Sequence, residues 1–386
     1  MSDPLVTRMR PYGQTVFSKM SALARQHDAV NLGQGFPDTD GPDEVLEAAR
    51  RAITAGHNQY PPAQGVPTLR SAIADHQRER YGIDLDPGSQ VLVTSGATEA
   101  IASALLALVE AGDEVVTFEP YYDSYAAGIS LAGGVQRSVP LTFPDLGFDR
   151  ERLAAAFSER TRVVLINTPH NPLGKVFTRE ELTVIADLAR EHDAWVVSDE
   201  VYEHMTYAGA VHVPIASLPG MAERTLTIGS AGKAFSVTGW KVGWISGPEP
   251  LVTAVTTVKQ YLTFTTASPL QHAVAEALRL GPGVLEEMAS SLAARRDLLV
   301  EGLTAAGFEV AVPQGTYFVV ADAAPLGVTD AVEWCLQLPE KVGVVGVPVS
   351  VFCSSPDETT ASLVRFAFCK QEDKLREACR RLAAMD

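Results

Sequence analysis

The chain has 386 residues, of which 46% are hydrophobic and 20% are charged, and its formal net charge is −16 at pH 7. An acidic protein lacks the basic surface that nucleic acids and anionic membranes attract, so we expect neither as a partner. The length favours two domains rather than one small core.

The cysteines and the N-terminal residues bear on the compartment. The four cysteines all lie in the last sixth of the chain, with neither C-x-x-C nor metal-ligand spacing: Cys335, Cys353, Cys369 and Cys379. The N-terminal residues lack the apolar core of a signal peptide, and no run is long enough to span a bilayer. We therefore predict a cytoplasmic protein with buried free thiols, although two disulfides are possible, and with no bound metal.

The first elements are an amphipathic stretch at residues 16–25 and a loop rich in glycine and proline at 31–38. This loop superficially suggests a dinucleotide fingerprint, but the third glycine is missing and Pro37 stands where a helix should begin. Gly35 is expected either to let the backbone approach a ligand closely or to be a plain turn glycine. Helices are predicted over 42–55 and 68–81.

From residue 91 onward, short apolar runs alternate with helical patterns. Strands are predicted at 91–94, 114–118, 163–166 and 195–198, with a helix over 178–191. Such alternation predicts an α/β fold with a mostly parallel sheet flanked by helices.

The pattern changes near residue 280. Beyond it we predict a helix over 284–306, strands at 317–320 and 363–368, and a last helix over 372–384. We therefore predict three parts. They are an N-terminal arm that joins the small domain (1–40), a large domain (41–280) and a small C-terminal α+β domain (281–386).

Candidate ligand-binding residues follow the predicted strands, where open parallel sheets bind their ligands. Gly96, Ala97 and Thr98 open a helix after a strand, so their backbone amides suit a phosphate; an ordinary helix cap is the alternative. Asp199 ends a strand inside an apolar segment, where a carboxylate needs a positive partner unless it caps a helix.

Three more side chains are candidates for a planar, charged ligand. Asn171 lies in a proline-rich loop after a strand, and Tyr122 offers a ring for stacking, although a turn and core packing are the alternatives. Arg365 lies in an apolar strand, where a guanidinium needs a carboxylate from the chain or from a substrate.

Segment 226–241 presents Lys233 and Lys241 after an apolar run and several small residues. A buried amine is costly unless it is neutral or covalently used, so Lys233 is a candidate Schiff-base lysine; a solvated surface lysine is the alternative. A Walker loop is excluded because Thr227 replaces its first glycine and Ala234 follows the lysine where serine or threonine must stand. Pyridoxal phosphate is the cofactor that uses a phosphate site, a carboxylate, a donor and a lysine together.

Together these motifs resemble the class I aminotransferases of pyridoxal-phosphate fold type I. The resemblance is strongest to the branch that contains kynurenine aminotransferase (glutamine transaminase K, cysteine-conjugate β-lyase) and bacterial N-succinyldiaminopimelate aminotransferases. The matching segments are 31–38, 58–60, 167–174, 198–202, 230–244 and 364–366. The resemblance implies a large domain with a mostly parallel seven-stranded sheet, and a homodimer whose active site is shared between subunits.

The resemblance also implies a role for each candidate residue. Lys233 is the Schiff-base lysine and moves the substrate Cα proton, while Asp199 keeps the pyridine nitrogen protonated. Asn171 and Tyr202 bind the phenolic oxygen, and Tyr122 stacks on the ring. The implied phosphate ligands are Gly96, Ala97, Thr98, Ser230, Lys241 and, from a second subunit, Tyr60. The implied ligands of the substrate α-carboxylate are Arg365, Asn171 and the Gly35 backbone.

A few positions differ from the family pattern. Phe17 stands in the place of a substrate-pocket tryptophan, and Thr265 in that of a histidine of the kynurenine enzymes, which argues against kynurenine itself. We also find no second arginine for a substrate side-chain carboxylate.

The resemblance predicts a ping-pong aminotransferase that uses a 2-oxoacid such as 2-oxoglutarate. The expected amino donors are glutamine, methionine, aromatic or kynurenine-like amino acids, or N-succinyl-diaminopimelate. One alternative is a cysteine-S-conjugate β-lyase. Another is a pyridoxal-phosphate-binding regulator without catalysis, which usually carries a basic DNA-binding domain that this chain has no spare length to form.

Overall fold

The computed structural model describes residues 4–13, 16–207 and 209–385. Its helices are α1 (Val16–Gln26), α2 (Asp43–Thr54), α3 (Pro67–Tyr81), α4 (Ala97–Leu108), α5 (Ser124–Ala132), α6 (Arg150–Ala155), α7 (Arg179–Glu191), α8 (Ala231–Ala234), α9 (Glu249–Lys259), α10 (Ser268–Ala277), α11 (Pro282–Ala305), α12 (Ala331–Lys341) and α13 (Glu372–Leu382). Short 3₁₀ turns lie at Thr7–Met9, Ile215–Ser217, Thr238–Trp240, Ala324–Leu326 and Val349–Phe352.

The strands are β1 (Val30–Asn31), β2 (Val91–Thr94), β3 (Glu114–Glu119), β4 (Val135–Pro140), β5 (Thr161–Asn167), β6 (Trp195–Asp199), β7 (Thr225–Ser230), β8 (Gly243–Ser246), β9 (Glu309–Ala311), β10 (Phe318–Asp322), β11 (Val344–Val345), β12 (Val347–Pro348) and β13 (Leu363–Ala367). Seven of them form one sheet in the order β2-β8-β7-β6-β5-β3-β4. Only β8 is antiparallel to its neighbours in this sheet. The predicted mostly parallel, seven-stranded α/β sheet is therefore confirmed.

Most strands of this sheet, including β2 at its edge, are apolar because helices cover both faces. Strands β2 and β3 are buried along their whole length, which explains their continuous hydrophobic runs. The strands β2, β5, β6 and β7 share one direction, so their carboxyl ends meet at one edge of the sheet. The residues that follow those strands are thereby brought together.

A second, antiparallel sheet has the order β12-β13-β10-β9, and β1 pairs in parallel with β11. This pairing brings residues 30–31 against 344–345, which supports an N-terminal contribution to the small domain. One hydrophobic cluster nevertheless extends from Leu92 in the large sheet to Leu375 in α13. The division into 1–40, 41–280 and 281–386 therefore stays a prediction.

One expectation about an individual element needs correction. The residues after Asp199 form turns rather than a helix, so the helix-cap alternative for this carboxylate is wrong. Strand β4 was not predicted; it is an edge strand with an alternating, half-exposed pattern rather than an apolar run. No helix in the described part of the chain is long and apolar enough to cross a bilayer.

Candidate active site

A cavity of about 310 Å³ opens at the carboxyl ends of the parallel strands. The structure brings nearly all the sequence-predicted site residues to its walls: Phe17, Gly35, Gly96, Ala97, Thr98, Tyr122, Asn171, Asp199, Tyr202, Ser230, Lys233, Lys241 and Arg365. They come from segments spread over almost the whole chain, so the fold assembles one site from motifs that are far apart in sequence.

Lys233 lies in the short helix α8, directly after β7. Its Nζ donates a hydrogen bond to the Tyr317 hydroxyl at 2.6 Å. Burial lowers its pKa to about 8, and the nearby cations Lys241 and Arg365 act in the same direction, against Cys369 and Asp199. An amine with this pKa is substantially neutral near pH 8, the form that attacks a carbonyl carbon.

Tyr317 is a site residue that sequence reasoning missed. Its hydroxyl accepts from Lys233 and donates to the Gly35 carbonyl oxygen at 2.5 Å. Burial raises the pKa of this phenol well above its ordinary value, so the hydroxyl keeps its proton. It therefore fixes the amine relative to the 31–38 loop.

Asp199 ends β6 and is buried, with one side-chain donor to its carboxylate among the described residues. The Tyr125 hydroxyl donates to its Oδ2 at 2.5 Å, and the Val201 amide donates to Oδ1 at 3.4 Å. Burial raises the pKa of this carboxyl to about 6, even though the two hydrogen bonds and Lys233 lower it. A buried carboxylate with so little compensation favours a cationic partner in the cavity.

The start of α4, the end of β7 and Lys241 together form an anion cradle. Gly96 has a φ of +80° and precedes the first turn of α4, whose free amides and dipole favour an anion. A Cβ on Gly96 would lie 3.1 Å from both Cε and Nζ of Lys241, so the glycine leaves room for that side chain. Ser230, on the same cavity wall, completes a set of donors that suits a phosphate.

Arg365 is buried in β13 without a carboxylate partner among the described residues. It donates to Asn171 Oδ1 at 3.0 Å and to the Gly33 carbonyl at 2.8 Å, while its Nε has no partner. The aromatic rings of Phe318, Phe352 and Phe17 lie 4.1, 5.0 and 5.1 Å from the guanidinium carbon. The sequence left open a carboxylate of the chain or one of a substrate. Since no described residue supplies a carboxylate to Arg365, a ligand carboxylate fits best.

The loop after β5 aims Asn171 at the cavity. The Asn167 side chain accepts from the Asn171 amide at 2.7 Å and donates to the Asp199 carbonyl at 2.8 Å. Because Asn171 Oδ1 accepts from Arg365, its Nδ2 is the group left to donate into the cavity.

Aromatic rings form much of the remaining wall. Tyr202 lies edge-on to Tyr317, with the ring centroids 5.3 Å apart, and Tyr122 lines the cavity beside it. Gly35 must be glycine because a Cβ there would lie 2.2 Å from the Phe318 ring. The close backbone approach that Gly35 permits is therefore to the Phe318 ring, although Gly35 also lines the cavity.

Tyr60 and Thr265 are not among the residues that line the cavity. Tyr60 is 85% exposed, and its ring lies edge-on to Phe264 at 5.7 Å. Its predicted contact requires a second subunit and stays a prediction.

A family model described as aminotransferase class I and II matches residues 27–382. A probable N-succinyldiaminopimelate aminotransferase of Mycobacterium tuberculosis is 50% identical over 98% of each chain. A methionine aminotransferase of Escherichia coli is 40% identical over 99% of each chain. The solved structure of N-succinyldiaminopimelate aminotransferase from Mycobacterium tuberculosis superposes with a TM-score of 0.96 at 51% identity, covering 98% of this chain and 99% of that one.

Proposed function

The chain belongs to the class I and II aminotransferases, enzymes that depend on pyridoxal phosphate, and from that premise we propose its substrate class and the roles of its site residues. The proposed donor is an L-amino acid with a long uncharged side chain, of the methionine or glutamine type. The acceptor is a 2-oxoacid. The observation that carries this proposal is the cavity wall. Among the described residues Arg365 is its one arginine, and aromatic and apolar side chains such as Phe17, Phe36 and Ile101 also line it.

The residues present fit pyridoxal phosphate. The cradle of Gly96, Ser230 and Lys241 suits its phosphate, and the under-compensated Asp199 suits a protonated pyridine nitrogen. The lowered pKa of Lys233 suits a covalent link to its aldehyde. When bound, the cofactor supplies that carbonyl and a ring that accepts electrons from the substrate Cα.

We propose that the chain's own residues divide the work as follows. Lys233 would hold the cofactor through Nζ, and the free amine would accept the proton from the substrate Cα. Asp199 keeps a proton on the ring nitrogen. Asn171 Nδ2 and the Tyr202 hydroxyl donate to the phenolic oxygen, while Tyr122 stacks on the ring.

The remaining assignments concern the phosphate of the cofactor and the α-carboxylate of the substrate. We assign the phosphate to the amides of Gly96, Ala97 and Thr98 with Ser230 and Lys241. The substrate α-carboxylate is assigned to Arg365, supported by Asn171 and the Gly35 backbone. Phe17 packs beside Arg365 and would contact the substrate side chain.

The pKa of Lys233 predicts how cofactor attachment depends on pH. The neutral amine is the nucleophile, so the attachment rate of the cofactor-free enzyme should rise with pH and level off above about 8. Stopped-flow absorbance after mixing with pyridoxal phosphate at a series of pH values measures this rate. A rate that keeps rising toward 10.5, the ordinary lysine value, would contradict the role of burial.

Replacing Tyr317 with phenylalanine should change the same profile. The Tyr317 hydroxyl accepts a hydrogen bond from the charged amine and thereby stabilises the charged form. Removing the hydroxyl should lower the pKa of Lys233 and move the attachment profile to lower pH. The Gly35 carbonyl also loses its donor, which should cost about 1 kcal/mol of unfolding free energy.

Tyr207→Phe is the matched control for Tyr317→Phe. Tyr207 donates to the Thr316 carbonyl at 2.6 Å, so its loss removes an equivalent buried hydrogen bond without touching Lys233. Equal shifts of the attachment profile in both variants would refute the assignment to Tyr317.

We also propose a homodimer in which Tyr60 reaches the partner's phosphate site. Large exposed apolar residues support a covered surface here: Tyr60, Tyr261, Leu262 and Phe264. Tyr60→Phe should then weaken cofactor binding about tenfold, the effect of one charge-assisted hydrogen bond. Equilibrium dialysis measures the cofactor Kd, and sedimentation should give twice the chain mass of 41.3 kDa.

Tyr261→Phe is the control, because Tyr261 is 84% exposed on the same surface without an assigned hydroxyl contact. A monomer that binds the cofactor fully would overturn the shared-site proposal.

We further place the enzyme in the cytoplasm, without nucleic-acid or membrane partners. The four free cysteines and the net charge of −16 support this placement.

A donor panel tests the substrate proposal. Methionine, glutamine, phenylalanine, kynurenine, aspartate and N-succinyl-diaminopimelate are compared with 2-oxoglutarate and pyruvate as acceptors. Methionine or glutamine should give the highest kcat/KM and aspartate the lowest. The 50% identity to the mycobacterial relative favours N-succinyl-diaminopimelate as a second candidate. Aspartate as the best donor would overturn the proposal. Pyruvate released from a cysteine conjugate without an acceptor would favour the lyase.

A further inference from the structure

Three metal-ligating side chains converge outside the active-site cavity. His76 lies in α3, whereas Glu203 and His204 lie in the turn that follows β6. Each offers one ligand atom, and these atoms all lie within 4.8 Å of one another. We name this group the 76–204 cluster.

The ring nitrogens of the 76–204 cluster have no hydrogen-bond partner. Both nitrogens of His76 and both of His204 are buried and unpaired within the described parts of the chain. Buried polar atoms nearly always have a partner, so four unpaired nitrogens in two rings that pack edge to face at 5.0 Å point to a missing ligand. The lone pair of a neutral imidazole is a ligand for a transition metal.

The hydrogen bonding of Glu203 supports its role as a metal ligand. The Tyr81 hydroxyl donates to Glu203 Oε2 at 2.7 Å, which leaves Oε1 on the side of His204, 3.7 Å from its Nε2. A hydrogen bond to a ligating carboxylate is the usual support of a metal site.

Charge also favours a cation at this place. Glu203 is accompanied by a second buried carboxylate, Glu200, which accepts from Ser198 and pairs with His212 at 2.8 Å. Both carboxylates are buried in the segment that follows β6, and a divalent cation bound beside Glu203 would compensate for their charge.

We propose that His76, Glu203 and His204 bind one divalent transition-metal ion of the zinc class. Two imidazoles and a carboxylate form a set that zinc takes with water as the fourth ligand. Sequence spacing could not reveal the site because five strands of the large sheet separate His76 from the other two ligands.

The position of the cluster assigns it a structural role. Glu203 and His204 follow Tyr202 directly, and Asp199 lies in the same segment. An ion bound by the cluster would therefore link this segment to α3 through His76. Neither Tyr202 nor Asp199 is itself a ligand. The ion should therefore stabilise the folded holoenzyme without taking part in amino transfer.

The test uses holoenzyme that has been stripped with a chelator and then titrated with Co²⁺ as a spectroscopic probe of the zinc site. We expect one Co²⁺ per subunit, a visible d–d absorption band of a four-coordinate ion and a thermal midpoint raised by about 3–6 °C. His76→Asn should weaken this binding at least about 100-fold and leave kcat unchanged. His204→Gln should weaken Co²⁺ binding to the same extent. With two variants, the misfolding of one of them does not decide the result.

His57→Asn is the matched control, because His57 stacks on His272 at 3.8 Å near the surface and could capture the ion by itself. The band and the thermal shift should survive in this variant. A wild-type holoenzyme without a band, or a band lost in His57→Asn and kept in His76→Asn, would overturn the proposal.

Discussion

Replacing Lys233 with alanine should reduce transaminase turnover by at least about four orders of magnitude, because the variant lacks both the covalent anchor and the base for the Cα proton. The cradle around Gly96 and Lys241 is intact in this variant, so pyridoxal phosphate should still bind without a covalent link. Borohydride treatment followed by mass spectrometry measures the link. Wild type should carry the cofactor on Lys233, and the variant should carry none.

Lys259→Met is the matched control for this experiment. Lys259 is also buried, but its Nζ donates to the carbonyls of Ala63 and Phe264 and does not line the active-site cavity. This variant should melt at a lower temperature and still carry the cofactor on Lys233. Normal turnover in Lys233→Ala would refute the role of this residue.

Replacing Arg365 with glutamine should lower kcat/KM by about 10²–10⁴. The physical reason is the loss of a buried, charge-paired carboxylate contact, which is worth about 3–5 kcal/mol. Since every amino donor has the same α-carboxylate, the factor should be similar for methionine, glutamine and phenylalanine. Steady-state kinetics on these three donors measures it.

Arg296→Gln separates this effect from a general loss of stability. Arg296 is also buried, pairs with Asp297 and lies over the Tyr207 ring at 5.1 Å from its centroid. Its replacement should lower the thermal midpoint while leaving kcat/KM close to wild type. A loss in Arg365→Gln that is confined to one donor would assign Arg365 to the side-chain pocket instead.

The parallel sheet was predictable because its strands are buried on both faces. Strands β2 and β6 therefore stand out as apolar runs with helical segments between them. Strand β8 is antiparallel to its neighbours and begins with Gly243. Its own residues therefore predict neither its direction nor its pairing. Tertiary contacts decide such elements.

Most of the predicted site residues converge because they follow a strand or open a helix at the same edge of the large sheet. Phe17 in α1 and Arg365 in β13 reach the cavity from other elements. Tyr317 could not be found in this way. It precedes an apolar strand and reads as an ordinary core aromatic, and its contact with Lys233 depends on how the two sheets meet. The polar Thr316 before it has a φ of +64°, which is unusual for a residue other than glycine.

The most direct test of the account is a single-turnover experiment on the holoenzyme with an amino donor and no acceptor. Methionine should yield one equivalent of its 2-oxoacid per subunit with loss of the yellow colour, and then the reaction should stop. Adding 2-oxoglutarate or pyruvate should restore both the colour and turnover. Continued release of product and ammonia without an acceptor would contradict amino-group exchange at Lys233.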